Sequence, residues 1–217
     1  MRLVSTLALI ASLSVPVAAL ADTINVTGTG VNVSAGSNDP NYTVSGPDVS
    51  LQQAVTINPN PGWGAQPAFN PAPGAANWDN PGGDGSTSYD GGDFTFTTTF
   101  DLTGELANTA SLSGGMAADN AVTVFLNGHQ GATAAYGPPY GFSQFTSWSF
   151  NSGFVSGVNT LTFVVTNGNG GSDTNGPMGL IVKIDSNSVS PVPEPASIAL
   201  LGTGVMTLAG FARRSRR

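Results

Sequence analysis

Asp93-Phe94-Thr95-Phe96-Thr97-Thr98-Thr99-Phe100 alternates between aromatic ring and hydroxyl. Successive side chains of a strand point to opposite faces, so Phe94, Phe96 and Phe100 share one face and three threonines share the other. This is the pattern of a half-buried strand. Residues 121–126 run into Asn127-Gly128; that pair accepts the positive φ a twisted hairpin requires, so it predicts a strand entering a tight turn. Residues 159–166 place Leu161, Phe163 and Val165 on one face, and residues 180–184 predict a short closing strand. Residues 24–33 and 42–57 predict two or three more. Composition agrees, since the whole chain holds two glutamates and one lysine and has no convincing amphipathic helix. Short strands with regular turn signals predict an all-β fold, an antiparallel β-sandwich.

Between the early strands and Asp93 lies residues 58–92, in which eight glycines and six prolines leave little room for regular structure. The stretch nevertheless carries Trp63, Phe69, Trp78 and Tyr89. Long loops of this kind inside a domain are functional or disordered, and aromatics argue against disorder. Two uses are open for Trp63 and Trp78. They pin the loop onto the sandwich and cover its end, or their faces stack on sugar rings as candidate ligand-binding platforms. A second aromatic loop is predicted over residues 129–142, with Tyr136 and Tyr140 as the rival candidates.

Residues 22–190 carry Lys183 as their only basic residue against twelve carboxylates, a formal charge of −11. Such a surface repels nucleic acid and anionic headgroups, so no nucleic-acid partner is expected. Cysteine is absent, which removes disulfide and thiol chemistry and leaves stability to a packed core. His129 is the only histidine, without a nucleophile motif around it, and reads as a solvated loop residue. Loop residues Asp79, Asp84, Asp90 and Asp93 hold enough carboxylates for glycosidase chemistry, but nothing selects a pair among them. The chain is therefore expected not to be an enzyme. Asp and Asn oxygens in glycine-rich loops suit Ca²⁺, with Asn169 and Asp173 adding to the same set, yet no defined calcium spacing is present. No metal site or resident cofactor is assigned beyond that. Sequons at Asn25, Asn32 and Asn41 are weak signals and assign no role.

The two ends carry the clearest signals. Residues 1–21 have Arg2, an apolar stretch over residues 7–13, Pro16, and small residues at Ala19 and Ala21, the pattern of a signal peptide cut before Asp22. At the other end Pro193-Glu194-Pro195 is followed by residues 196–212 without a charge and then by Arg213, Arg214, Arg216 and Arg217. Seventeen residues make a helix of about 25 Å, just enough to span a hydrocarbon core of roughly 30 Å. The arginines form a cytoplasmic stop under the positive-inside rule, which puts the motif on the outer face of that membrane. Two prolines hold the motif extended, a shape suited to a protease cleft.

This tail, residues 191–217, resembles the PEP-CTERM sorting signal of Gram-negative bacteria. The resemblance implies exosortase as a partner, transient anchoring in the inner membrane, and a final place at the cell surface or in the extracellular matrix. Four pieces of the body resemble the galactose-binding-domain-like jelly roll: residues 94–104 (FTFTTTFDLTG), 118–128 (ADNAVTVFLNG), 157–167 (GVNTLTFVVTN) and 179–184 (GLIVKI). The shared pattern rests on Asp119-Asn120, Asn127-Gly128 and Gly157-Val158-Asn159-Thr160-Leu161, residues that serve the scaffold in that family. The resemblance implies a fold and names no ligand. Three regions are thus expected: a signal peptide over residues 1–21, a β-sandwich ectodomain over residues 22–190, and a sorting tail over residues 191–217. The expected role is a structural or adhesive surface protein of exopolysaccharide or biofilm. The alternative is a carbohydrate-binding module that grips extracellular polysaccharide with its aromatic loops.

Overall fold

The structure is a computed structural model that describes residues 21–57, 75–137, 141–168 and 175–192, together with residues 202, 204–206, 208 and 214. The chain resolves into two units. Ala21–Pro191 forms one, and Met1–Leu20 with Val192–Arg217 forms the other. In the second unit the described residues 202, 204–206, 208 and 214 are helical. Among the described residues no helix is long and apolar enough to cross a membrane. The expected span over residues 196–212 lies largely outside the described residues, as do residues 1–20 of the expected signal peptide.

The larger unit is built from strands β1 (Asn38–Gly46), β2 (Val49–Thr56), β3 (Asp79–Asn80), β4 (Ser88–Tyr89), β5 (Gly92–Asp101), β6 (Glu105–Asp119), β7 (Ala121–Leu126), β8 (His129–Ala134), β9 (Thr146–Phe150), β10 (Val158–Asn167), β11 (Gly176–Pro177) and β12 (Gly179–Pro191). Ten of them form one sheet in the order β8-β7-β10-β5-β1-β2-β3-β12-β6-β9, while β4 and β11 pair separately. All of these pairings are antiparallel. The sheet folds back on itself: Trp148 on β9 meets Phe163 on β10 edge-on, with ring centroids 5.9 Å apart. Strand β3 carries the chain of hydrogen bonds from β2 to β12, and so from one layer to the other. The result is consistent with a β-sandwich.

The predicted strands over residues 93–100, 121–126 and 159–166 are present as β5, β7 and β10, paired with one another in continuous register. Phe94, Phe96 and Phe100 are buried as expected, and Thr98 joins them on the inner face. Their rings meet Tyr42, Val44, Leu161, Phe163 and Val165 in the main core. Gly46 is required here, because a Cβ on it would collide with the Phe94 ring. Asn127 and Gly128 have φ of 49° and 81° and close the β7–β8 hairpin as predicted.

Three expectations change. Residues 24–33 hold no strand, with residues 29–32 forming a turn, and the nearest pairing before them is the bridge of Asp22 to Val189; Gly28 lies against the Val182 carbonyl and leaves no space for a side chain. Residues 129–134, expected as loop, are strand β8, with exposed His129 at its start. The closing strand is β12, which runs to Pro191 because β6 supplies a partner along nearly its whole length.

Candidate functional site

The aromatic loops were the sequence's candidate site, and the structure separates their members. Trp63 and Tyr140 lie outside the described residues. Trp78 is only 6% exposed and packs with Ile57, Ala76, Ala117 and Ile181 in a second apolar cluster, against which Val31, Phe142 and Phe145 rest. The backbone around it is stitched to two elements. Ile57 N donates to Trp78 O at 2.8 Å, and Asn77 N donates to Thr29 O at 2.8 Å. The Thr29 hydroxyl returns a bond to Asn77 O at 2.6 Å. A ring so placed is a pin, with no open face for a sugar. Tyr136 differs, being 44% exposed just beyond β8.

The four loop aspartates do not converge. Asp84 is exposed and accepts from the backbone N and hydroxyl of Ser86 at 2.9 and 2.8 Å. Those bonds hold its carboxyl below the usual carboxylate range. Asp93 accepts from the Thr166 hydroxyl at 2.7 Å across the β5–β10 pair. Asp90 is held through its backbone, its carbonyl taking a bond from Asn167 Nδ2 at 3.1 Å. Asp79 alone is fully buried, on the corner strand β3. Asn169 and Asp173 lie outside the described residues. Among the described residues, no three His, Cys, Asp or Glu side chains come together as a metal-binding group.

Asp79 has a neighbour the sequence gave no reason to pair with it. Asp39, at the start of β1, is also fully buried and accepts from Gly30 N at 2.7 Å and Asn41 N at 2.8 Å. Burial, then the neighbouring Asp39 carboxyl, push the Asp79 carboxyl well above its usual range, against weaker opposing pulls from Thr56 and the Gly30 amide. Tyr42 is likewise raised by burial and by the two carboxylates, while its hydroxyl donates to Thr27 O at 2.9 Å.

Grooves open on the surface among the described residues. One of about 380 Å³ lies beside the Trp78 cluster, lined by Val26, Val31, Ala76, Phe145, Lys183 and Asn187. Its ammonium group is already engaged, 2.7 Å from Asp185 and 5.4 Å from the centre of the Phe145 ring. Another, of about 530 Å³, follows the seam where β8 approaches β9 and presents Ser113, Gln130, Ser147, Ser149 and Asp185. Hydroxyl, amide and carboxylate groups on an open floor can bond water or the hydroxyls of a polyol.

A family profile described as the PEP-CTERM protein-sorting motif matches residues 191–217. The chain carries this sorting motif. Pro193, Glu194 and Pro195 fall inside the match, as do Arg213, Arg214, Arg216 and Arg217. The motif implies an exosortase partner and the export and sorting machinery typical of Gram-negative systems. No curated protein matches the chain.

Among solved structures, a Ruminococcus gnavus β-glucuronidase aligns at 16% identity and a TM-score of 0.29, over 43% of this chain and 20% of that one. A putative β-galactosidase from Bacteroides fragilis aligns at 14% and 0.38, over 74% and 23%. An FMN-binding β-glucuronidase aligns at 14% and 0.37, over 76% and 23%. The chain thus spans about a fifth to a quarter of the length of these proteins. The expectation that the chain is not an enzyme is corrected by these repeated matches to glycoside hydrolases, which leave no ground for a firm exclusion. At these TM-scores they assign neither a reaction nor a residue.

Proposed function

We propose that this is a surface or extracellular-matrix protein, structural or adhesive in exopolysaccharide, delivered by its sorting tail. The single observation that carries the reading is the PEP-CTERM motif at residues 191–217. In this reading residues 1–21 are removed on export, and residues 22–190 act as a galactose-binding-like jelly-roll body. Residues 196–212 hold the precursor in the inner membrane until exosortase acts at Pro193-Glu194-Pro195. The acidic body supports the role, because a −11 surface stays soluble among polyanions rather than condensing on them.

Glu194 tests this reading. It follows the last strand, which ends at Pro191, and its charge is expected to serve the motif and not the fold. Glu194→Ala is expected to leave the melting curve unchanged while unprocessed precursor accumulates in the inner membrane, read by fractionation and immunoblot. Processing at the wild-type level would defeat the proposal.

The exposed ring of Tyr136 supports a second reading, in which the body holds extracellular polysaccharide. Tyr136→Ala is expected to change stability by less than about 0.5 kcal/mol, as surface substitutions do. Loss of retention on an exopolysaccharide column without loss of stability would favour binding over a purely structural role; unchanged retention would remove Tyr136 from the candidates.

A further inference from the structure

Asp39 and Asp79 are both fully buried, on either side of Gly30. The Gly30 amide donates to Asp39 Oδ2 at 2.7 Å, and a Cβ built on Gly30 would lie 3.2 Å from Asp79 Oδ1 and 3.1 Å from Thr56 Oγ1. Neither Asp79 oxygen makes a well-formed hydrogen bond to a donor. Among the described residues, the packed elements offer no neutralising cation. Strand β1 supplies Asp39 and the phenol of Tyr42, β2 supplies Thr56, and the turn over residues 27–30 supplies hydroxyls and amides. On β12 the residue opposite Asp79 is Leu180. Lys183, the single lysine, is bound to Asp185 at the surface, and His129 is exposed on β8.

Two ionised carboxylates in one dry site repel each other, and no cation offsets their lost hydration. We propose that Asp39 and Asp79 hold one proton between them, a carboxylic acid–carboxylate pair that locks the β2–β3–β12 corner. Asp39 is the accepting member, since its two oxygens already accept backbone N–H bonds. Asp79, whose oxygens make no well-formed bond to another donor, carries the proton and donates its O–H hydrogen bond to Asp39.

The lock is sensitive to pH in a defined direction. The folded state binds a proton that the unfolded chain releases above the ordinary carboxylate value of 3.8. Stability from this pair is therefore complete below that value and is lost as pH rises towards the raised folded-state value of Asp79. Asn at position 79 offers Asp39 an N–H donor at every pH and carries no proton to lose.

The test uses the full chain in mild detergent with a chelator present, unfolded by denaturant between pH 3.5 and 9 and followed by tryptophan fluorescence. Relative to Asp79→Asn, wild type is expected to lose stability with rising pH, with a limiting slope of one proton per molecule. At pH 8 the variant should be at least as stable as wild type. Parallel pH curves, or a variant less stable at every pH, would overturn the proposal. So would added Ca²⁺ raising the midpoint of wild type but not of Asp79→Asn, which would make the pair a cation site. Should the variant fail to fold, the wild-type protein still decides: its infrared spectrum at neutral pH is expected to show a protonated carboxyl band that vanishes on unfolding, and its absence from the folded protein would end the idea.

Discussion

Trp78→Ala is expected to lower the unfolding free energy by about 3–5 kcal/mol, the usual cost of emptying a buried aromatic site. The indole is the largest member of the cluster with Ile57, Ala76, Ala117 and Ile181, and the two alanines cannot expand into the space it leaves. Its backbone carbonyl anchors Ile57 N at 2.8 Å, so the chain stays at that spot while the side chain is lost. A cavity is the outcome, and partial relaxation decides only where in the range the cost falls. For a body of this size each kcal/mol shifts the melting midpoint by roughly 2–4 °C, so a fall of about 10 °C is expected. Tyr136→Ala should show almost none of it. A Trp78 variant that melts with wild type and loses polysaccharide retention would reverse the assignment of pin and platform.

How far the sequence discloses this fold depends on how each strand is covered. Strands β5, β7 and β10 were legible because one face meets the core and the other meets solvent, which writes an alternation into the chain. Strand β6 was not. It places Ala110, Leu112, Met116 and Ala118 inward, but Gly114 interrupts the row, and the Lys183 carbonyl and the Trp148 ring take up the space its side chain would need. The second half of β12 escaped for a related reason. Beyond Asp185 its residues are mostly polar, and what holds them in a strand is the ladder to β6, including the Ser111–Ser188 hydroxyl contact at 2.9 Å. At the candidate site, packing of Trp78 was one of two uses that composition left open. Burial of Asp79 was not foreseeable, since its partners Asp39, Gly30 and Thr56 come from distant parts of the chain. The sorting motif was legible because its signal is local.

Asn159→Ala carries the other large effect, and it bears on why the Asn-Gly turn and the Gly-x-Asn-x-Leu strand entry occur in one chain. Asn159 is fully buried and uses all four of its side-chain bonding positions. Its Oδ1 accepts from Asn127 Nδ2 at 2.8 Å and Val155 N at 2.9 Å. Its Nδ2 donates to Val155 O at 2.8 Å and Gly157 O at 2.9 Å. Asn127 completes the link, accepting from Thr160 N at 2.8 Å and donating to Gly153 O at 2.9 Å. The hairpin turn and the entry to β10 are thus one network, which fixes the loop over residues 153–157 against the end of the sandwich. Alanine leaves several part-buried donors and acceptors without their partner together, at up to about 1–3 kcal/mol for each. A loss of at least about 3 kcal/mol is expected by chemical denaturation, near the cost of removing Trp78 although no ring is lost. Asn159→Asp should recover little, because it keeps the acceptor, loses both donors and adds a buried charge. An alanine variant within about 0.5 kcal/mol of wild type would show that water replaces the amide, and that the two motifs are joined by sequence habit rather than by this contact.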